Sequence, residues 1–312
     1  MSVFLFISPQ DKPERWRTAL RPHFPDMDFR VWPGETGDPS EVDLILTWRP
    51  PTGSLTGYPN LKAVYNLGAG VELLVRDPSY PVGVPLIRLV DPGLTSGMTE
   101  YMVHMTLTFH RGFHQARRRQ RDHVWKEFSA PSTAARRVGI LGLGVLGRDS
   151  AEKLAGLGFQ SIAGWSRTAK AVPGVECFSG TDGLMPFLRR TEILICLLPL
   201  TAETVGILNA DTLAALPPGA FVINAARGGH VIEADLLAAL DSGHIAGAAL
   251  DVFQTEPLPA DSPFWDHPGV IVTPHIASIS TPETAAPVMA KNIRRVMAGG
   301  TPNDLVDWVR GY

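Results

Sequence analysis

Cysteine is nearly absent from this chain of 312 residues: Cys177 and Cys196 are the only two. They form no CxxC pattern and neither stands near a catalytic-looking histidine, so a disulfide framework is excluded and a reduced, cytoplasmic compartment is expected. An excess of positive charge is also missing, since 28 Lys and Arg face 31 Asp and Glu for a formal charge of −3. Nucleic acid is therefore not an expected partner. The one basic cluster, "ARRRQR" (116–121), follows an apolar helical pattern and reads as a solvated helix end. No apolar run approaches the ~18 residues needed to cross a bilayer, so no membrane association is expected. The opening "MSVFLFISPQ" has no basic region and no cleavage pattern. It reads as a first β-strand rather than a signal peptide. Internal repeats, low-complexity tracts and long linkers are lacking as well.

What remains has ordinary globular proportions, 45% hydrophobic and 19% charged. Short runs rich in β-branched residues alternate with helical patterns, which argues for parallel α/β architecture. The first series is "VFLFI" (3–7), "DLILTW" (43–48), "KAVYNL" (62–67) and "PLIRL" (85–89). A long helical segment follows over 97–121. The second series is "RVGIL" (137–141), "SIAGWS" (161–166), "EILICLL" (192–198), "AFVINA" (220–225), "IAGAALDVF" (245–253) and "VIVTPHI" (270–276). Two doubly wound units are expected, and a closing helix over 284–299 should pack back on the first. This predicts a discontinuous domain over 1–98 and 281–312, with a second domain over 99–280.

The second unit opens on "ILGLGVLG" (140–147), a GxGxxG turn that follows a predicted strand and begins a helix. Gly142 permits the tight turn, Gly144 lets backbone approach a pyrophosphate, and Gly147 allows close packing of helix on strand. The helix N-terminus offers N–H groups and partial positive charge to phosphates. Val145 and Leu146 complete this cofactor-binding turn. One βαβ step later, "GWSRTAK" (164–170) carries Ser166 and Arg167 where an acidic residue would bind a ribose 2′-hydroxyl. Serine removes repulsion against a 2′-phosphate, Arg167 can bond it, and Lys170 can add a second positive charge. NADPH is the expected cofactor, with NADH the weaker alternative.

Unusual polar residues of the second half fall at strand ends: Arg227 after "AFVINA", Asp251 and Glu256 after "AGAAL", His275 after "VIVTP". A guanidinium can hold a carboxylate, an imidazolium can protonate a developing alkoxide, and a carboxylate can keep that imidazole charged and oriented. Among the other histidines, His104, His110 and His114 read as helix-surface or interface positions, without a metal-site pattern. His230 and His244 read as flanking a helix over 231–243. In the first unit "NLGAGVE" (66–72) puts Gly68, Ala69 and Gly70 directly after a strand, where successive N–H groups can converge on an anion. Trp48 and Arg49 also follow a strand, either lining the substrate cleft or serving structure.

Over nearly its whole length the chain resembles the D-isomer-specific 2-hydroxyacid dehydrogenase family. The motifs are "LGAGVE", "GILGLGVLG", "LLPLTAETVGILN", "INAARGGHVIEADLLAALDSGHIAGAALDVFQTEPLP" and "VIVTPHIAS". Within it, the "GWSRTAK" turn and the closing "RGY" are similar to the glyoxylate/hydroxypyruvate reductase A group. The resemblance implies a Rossmann-type cofactor domain beside a flavodoxin-like substrate domain. It places Arg227 on the substrate carboxylate, His275 as proton donor, Glu256 as its partner and Asp251 on the nicotinamide carboxamide. It gives Ala69 and Gly70 backbone N–H contacts to substrate and sets Leu198 and Pro199 along the cofactor; apart from the resemblance, Gly68 and Trp48 are expected beside the substrate and Ala225 and Ala226 beside the cofactor. It further implies a homodimer formed through the long helix "GMTEYMVHMTLTF". The expected activity is NADPH-dependent reduction of small 2-oxo acids, glyoxylate to glycolate and hydroxypyruvate to D-glycerate, in a cleft that closes to exclude water. The rivals are an NAD-linked dehydrogenase of bulkier D-2-hydroxy acids and a dinucleotide-sensing, corepressor-like binding protein.

Overall fold

The computed structural model describes residues 2–312. The chain divides into two units, Met1–Leu94 with Ile279–Tyr312, and Thr95–Ser278. The first sheet contains β1 (Val3–Ile7), β2 (Asp28–Val31), β3 (Val42–Thr47), β4 (Ala63–Asn66) and β5 (Leu86–Ile87). The second contains β6 (Arg137–Leu141), β7 (Ser161–Ser166), β8 (Glu176–Ser179), β9 (Ile193–Cys196), β10 (Ala220–Asn224), β11 (Ile245–Leu250) and β12 (Val270–Val272). The helices are α1 (Pro13–Leu20), α2 (Glu72–Val75), α3 (Pro92–His110), α4 (Phe113–Arg121), α5 (Val145–Gly156), α6 (Gly180–Arg189), α7 (Ala210–Ala214), α8 (Glu233–Asp241) and α9 (Pro282–Met297).

Both sheets are parallel throughout. The order β2-β1-β3-β4-β5 is the flavodoxin-like arrangement. The order β12-β11-β10-β9-β6-β7-β8 is the Rossmann arrangement extended by one strand. The expected fold class is thus the one observed. Parallel strands carry helices on both faces, so their sequences are apolar without alternation. Accordingly β1, β9 and β10 are buried at every position. α9 belongs to the first core: its Ala285, Ala286, Met289 and Ile293 pack with Phe4, Phe6 and Trp16.

Three expectations need correction. The segment 97–121 is two helices, because Gly112 between them takes φ +70°, a left-handed conformation open to glycine at little cost. A Cβ there would also stand only 2.3 Å from the Phe128 ring. Strands β2 and β8 were not foreseen; both are edge strands with polar residues such as Asp28, Arg30 and Glu176. Finally, His110 and His114, expected at the helix surface or an interface, are drawn into the chain's own packing. His110 is buried, His114 half-buried, and the Nδ1 of each lacks a hydrogen-bond partner among the described residues.

Candidate active site

Because every strand of the second sheet runs the same way, its carboxyl ends form one edge, and the chain leaves that edge through the residues singled out above. The order reverses between β6 and β9, the switch point at which doubly wound sheets open a crevice. There Gly142 donates to Trp165 O at 2.8 Å and Leu197 donates to Leu141 O at 2.8 Å, which tie the glycine turn to the exits of β7 and β9. Gly142 has φ +101°, and a Cβ on Gly147 would lie 1.9 Å from the Gly142 carbonyl oxygen. Only glycine fits at Gly147. A Cβ on Gly144 would meet nothing within 4 Å, and no side chain caps the N-terminus of α5, whose first turn carries no acid. Those N–H groups suit a phosphate. Val145 is exposed and Leu146 half-buried beside them.

The exit of β7 is polar and mostly engaged locally. Ser166 is buried and donates to Thr168 O at 2.9 Å. Lys170 donates to Leu143 O at 2.9 Å, and its ammonium is held below the ordinary lysine value by burial and then by Arg148. Arg148 Nε donates to that same carbonyl at 3.2 Å. Sequence reasoning missed Arg148; a cation on the first turn of a helix, where the dipole disfavours it, was the signal available. Arg167 is partly exposed and lies 3.4 Å from Glu203, another residue not foreseen.

At the exits of β11 and β12 the expected residues meet. His275 Nδ1 lies 2.8 Å from Glu256 Oε2, and Glu256 Oε1 accepts from the Phe253 N–H at 3.1 Å. The carboxylate can only accept, so Nδ1 carries a hydrogen and Nε2 is the site that gains or loses a proton. Among the described residues Nε2 has no partner. His275 sits at φ +55°, a strained conformation for a non-glycine residue. It is held there by its N–H to Asp251 O at 2.9 Å.

Asp251 is buried and accepts from Thr273 Oγ1 at 2.6 Å, Ile276 N at 2.9 Å and Ala277 N at 2.9 Å. It fastens both sides of the His275 turn. Three bonds leave about one of the four lone-pair positions of a carboxylate. At the exit of β10, Asn224 Oδ1 accepts from Ala226 N at 3.2 Å and its Nδ2 donates to Arg227 O at 3.0 Å, which shapes the turn that projects Arg227. Ala225, Ala226 and Leu198 are buried, and Pro199 is half-buried.

The first unit holds a separate polar turn. Asn66 Nδ2 donates to Gly68 O at 2.7 Å and Gly70 O at 2.9 Å. Since a trans peptide points its N–H opposite its C=O, the N–H groups of Ala69 and Val71 face away from Asn66. Trp48 lies against this turn; a Cβ on Gly68 would meet its ring at 2.3 Å. Arg49 sits over the Trp48 ring, 5.6 Å from its centroid.

The D-isomer specific 2-hydroxyacid dehydrogenase NAD-binding domain model matches residues 103–277, more than half of the chain. The chain belongs to this family. It is similar to the glyoxylate/hydroxypyruvate reductase A of Yersinia enterocolitica, at 42% identity over 99% of both chains. A Salmonella paratyphi B protein of the same name is 43% identical over 99% of both. Among solved structures, a D-isomer specific 2-hydroxyacid dehydrogenase of Xanthobacter autotrophicus in complex with NADPH and MES superposes with TM-score 0.97. It is 47% identical and covers 100% of this chain and 99% of its own. The NADPH-dependent glyoxylate/hydroxypyruvate reductase of Sinorhizobium meliloti in complex with NADP and sulfate gives TM-score 0.93 at 38% identity, covering 100% of both. Among the described residues no cluster of His, Cys, Asp and Glu could hold a metal, and no helix is long and apolar enough to cross a membrane.

Proposed function

We propose that this dehydrogenase is an NADPH-dependent reductase of small 2-oxo acids, converting glyoxylate to glycolate and hydroxypyruvate to D-glycerate. The observation that carries the reading is the His275–Glu256 pair at 2.8 Å, on the same sheet edge as an uncapped glycine turn whose neighbouring strand ends in Ser166 and Arg167 rather than an acid. The names of the Yersinia, Salmonella and Sinorhizobium relatives support the substrate class, and the NADPH and NADP complexes support the cofactor.

Gly142, Gly144, Val145, Leu146 and Gly147 would hold the pyrophosphate. Ser166, Arg167 and Lys170 would read the adenine ribose, and Leu198, Pro199, Ala225 and Ala226 would line the nicotinamide half. When bound, NADPH supplies the hydride for the carbonyl carbon. Arg227 grips the substrate carboxylate with a charge-assisted pair of hydrogen bonds and fixes which face of the carbonyl is presented. His275 Nε2 gives its proton to the oxygen as negative charge grows there. Glu256 keeps the ring oriented and stabilises its cationic form. Asp251 holds the His275 turn, and its remaining acceptor position is assigned to the nicotinamide carboxamide. In its own unit, the turn of Gly68, Ala69 and Gly70, backed by Trp48, is an anion-binding element that suits a carboxylate.

The family resemblance supports a homodimer built on α3, and two free cysteines suit a cytoplasmic enzyme. Light scattering on the purified protein tests the dimer. The decisive assay follows NADPH oxidation with glyoxylate, hydroxypyruvate, pyruvate and phenylpyruvate, each repeated with NADH. The two small substrates with NADPH should give the highest kcat/KM; preference for phenylpyruvate or NADH overturns the reading, and no turnover at all favours a sensor.

A further inference from the structure

His230 lies at the end of the short turn Gly228–His230 and is completely buried. Both of its ring nitrogens face carbonyl oxygens: Nδ1 stands 3.0 Å from Arg227 O and Nε2 stands 3.2 Å from Pro199 O. A carbonyl oxygen can only accept. A neutral imidazole has one N–H, so it would satisfy one of these contacts and set a lone pair against the other oxygen. The doubly protonated ring donates to both oxygens, whereas the neutral ring donates to one and leaves its bare nitrogen to the Cys196 thiol beside it.

The two carbonyls belong to different loops. Pro199 follows β9, on the segment assigned to the cofactor, and its oxygen also accepts from Thr204 Oγ1 at 2.7 Å. Arg227 follows β10 and is assigned to the substrate carboxylate; its oxygen also accepts from Asn224 Nδ2 at 3.0 Å and from the His230 N–H at 3.2 Å. Backbone bonds from Gly206 N to Gly229 O and from Leu208 N to His230 O, both 2.9 Å, stitch the same two segments together.

We propose that His230 is a positioning residue whose doubly protonated ring clamps the Pro199 loop to the Arg227 turn, so that the cofactor and carboxylate subsites are set together. The inference rests on the functional reading above for the names of those subsites, but not for the clamp itself. Burial alone would lower the basicity of this ring; the neighbouring Cys196 of β9 and the bonds to Pro199 and Arg227 outweigh that and raise it. Cys196 is the ionisable group that faces the ring from the sheet, and the guanidinium of Arg227 is the charge on its own turn. The Pro199–Leu208 segment brings carbonyl and hydroxyl groups to it.

The first test needs no substitution. Long-range proton–nitrogen NMR of the nitrogen-15-labelled enzyme at about pH 7 should show both nitrogens of His230 protonated, assigned by comparison with His230→Gln; a ring with one bare nitrogen overturns the clamp. The second is a double-mutant cycle. His230→Phe keeps the volume and removes both donors. It should raise the KM for the 2-oxo acid at least about tenfold and the Kd for NADPH, read by fluorescence titration, at least about threefold. In an Arg227→Ala background the same change should weaken NADPH as before while adding little to the substrate KM. Full additivity on substrate, or KM and Kd both within about twofold of wild type with only the melting temperature moved, reduces His230 to a packing residue. Should His230→Phe not fold, His230→Gln, which retains one donor group, is read by the same criteria. If the wild type reduces no 2-oxo acid, the functional reading fails, yet the nitrogen shifts and the NADPH titration still decide the clamp.

Discussion

His275 and Glu256 stand 2.8 Å apart, and the turn that brings them together is held by a buried carboxylate, Asp251, which bonds the backbone on the far side of the histidine. The imidazole is therefore oriented twice, once through its own Nδ1 and once through its main chain. Replacing His275 with Gln should lower kcat by about 10²–10⁴, the usual contribution of a positioned general acid. Glu256→Gln preserves an acceptor for Nδ1 but not the charge, and a loss of about tenfold in kcat is expected. Steady-state assays in which the NADPH KM stays near wild type complete the check; an unchanged kcat in either variant removes that residue from the chemistry.

Arg227→Ala should act on the other parameter. One lost charge-assisted contact is worth about 1.5–3 kcal/mol, so the KM for the 2-oxo acid should rise by at least tenfold. Arg227→Lys, which keeps the charge but not the fork, should recover only part of it. A KM near the wild-type value for Arg227→Ala would show that carboxylate recognition lies elsewhere.

Cofactor choice can be read as one ratio, kcat/KM with NADPH over NADH. Exchanging Ser166 for Asp and Arg167 for Ala should lower it at least about tenfold. The Arg167–Glu203 contact adds a second, opposite expectation. Removing the competing carboxylate with Glu203→Gln should raise NADPH affinity modestly, by about two- to threefold, the scale of an exposed ion pair. If neither variant moves the ratio, Arg167 is a surface residue without a role in recognition.

Gly147→Ala should be disproportionately damaging for a single methyl group. Its Cβ would meet the Gly142 carbonyl oxygen at 1.9 Å, and a backbone atom cannot swing aside as a side chain can. A loss of about 1–3 kcal/mol in urea unfolding is expected, together with weaker NADPH binding, because the turn and the helix start must separate. Wild-type stability and affinity would contradict the packing described here.

His110 and His114 should make the protein acid-sensitive, opposite in sign to His230, whose basicity is raised. His110 is held below the ordinary imidazole value by burial first, then by Arg136 and Arg111; His114 is lowered chiefly by burial. The unfolded chain therefore binds protons more readily than the folded one, so stability is full above the ordinary histidine pKa of about 6.5 and falls as pH drops through it toward the lower folded values. Urea midpoints compared at about pH 7.5 and 5.5 should show that loss, and His110→Phe should reduce it. An equal loss in the variant would assign the acid sensitivity to other groups.

Much of the candidate site could be read from residues alone, because the residues proposed for its chemistry lie at the ends of strands that are apolar at nearly every position. "AFVIN" and "ILIC" announce buried parallel strands without help from the rest of the chain, and a GxGxxG, an arginine, an acid and a histidine follow such strands at fixed places. Edge strands escaped for the complementary reason. "DFRV" and "ECFS" have one side open to water, so polar residues interrupt the apolar run that marks an interior strand. His230 does flank the helix as expected, but nothing in "ARGGHV" tells that two carbonyls from different loops converge on its ring.

By itself the sequence determined two parallel α/β units and the glycine turn, and it marked Arg227, Glu256 and His275 as candidates, because periodicity and strand-end placement are local properties. Only the tertiary structure decided that Asp251 spends most of its acceptor capacity on the His275 turn, that Lys170 and Arg148 share the Leu143 carbonyl, that Glu203 pairs with Arg167 and that His230 joins two loops. The physical reason is common to all four. A polar side chain takes its role from whichever partner lies within about 3 Å, and that distance is set by packing between segments remote in sequence.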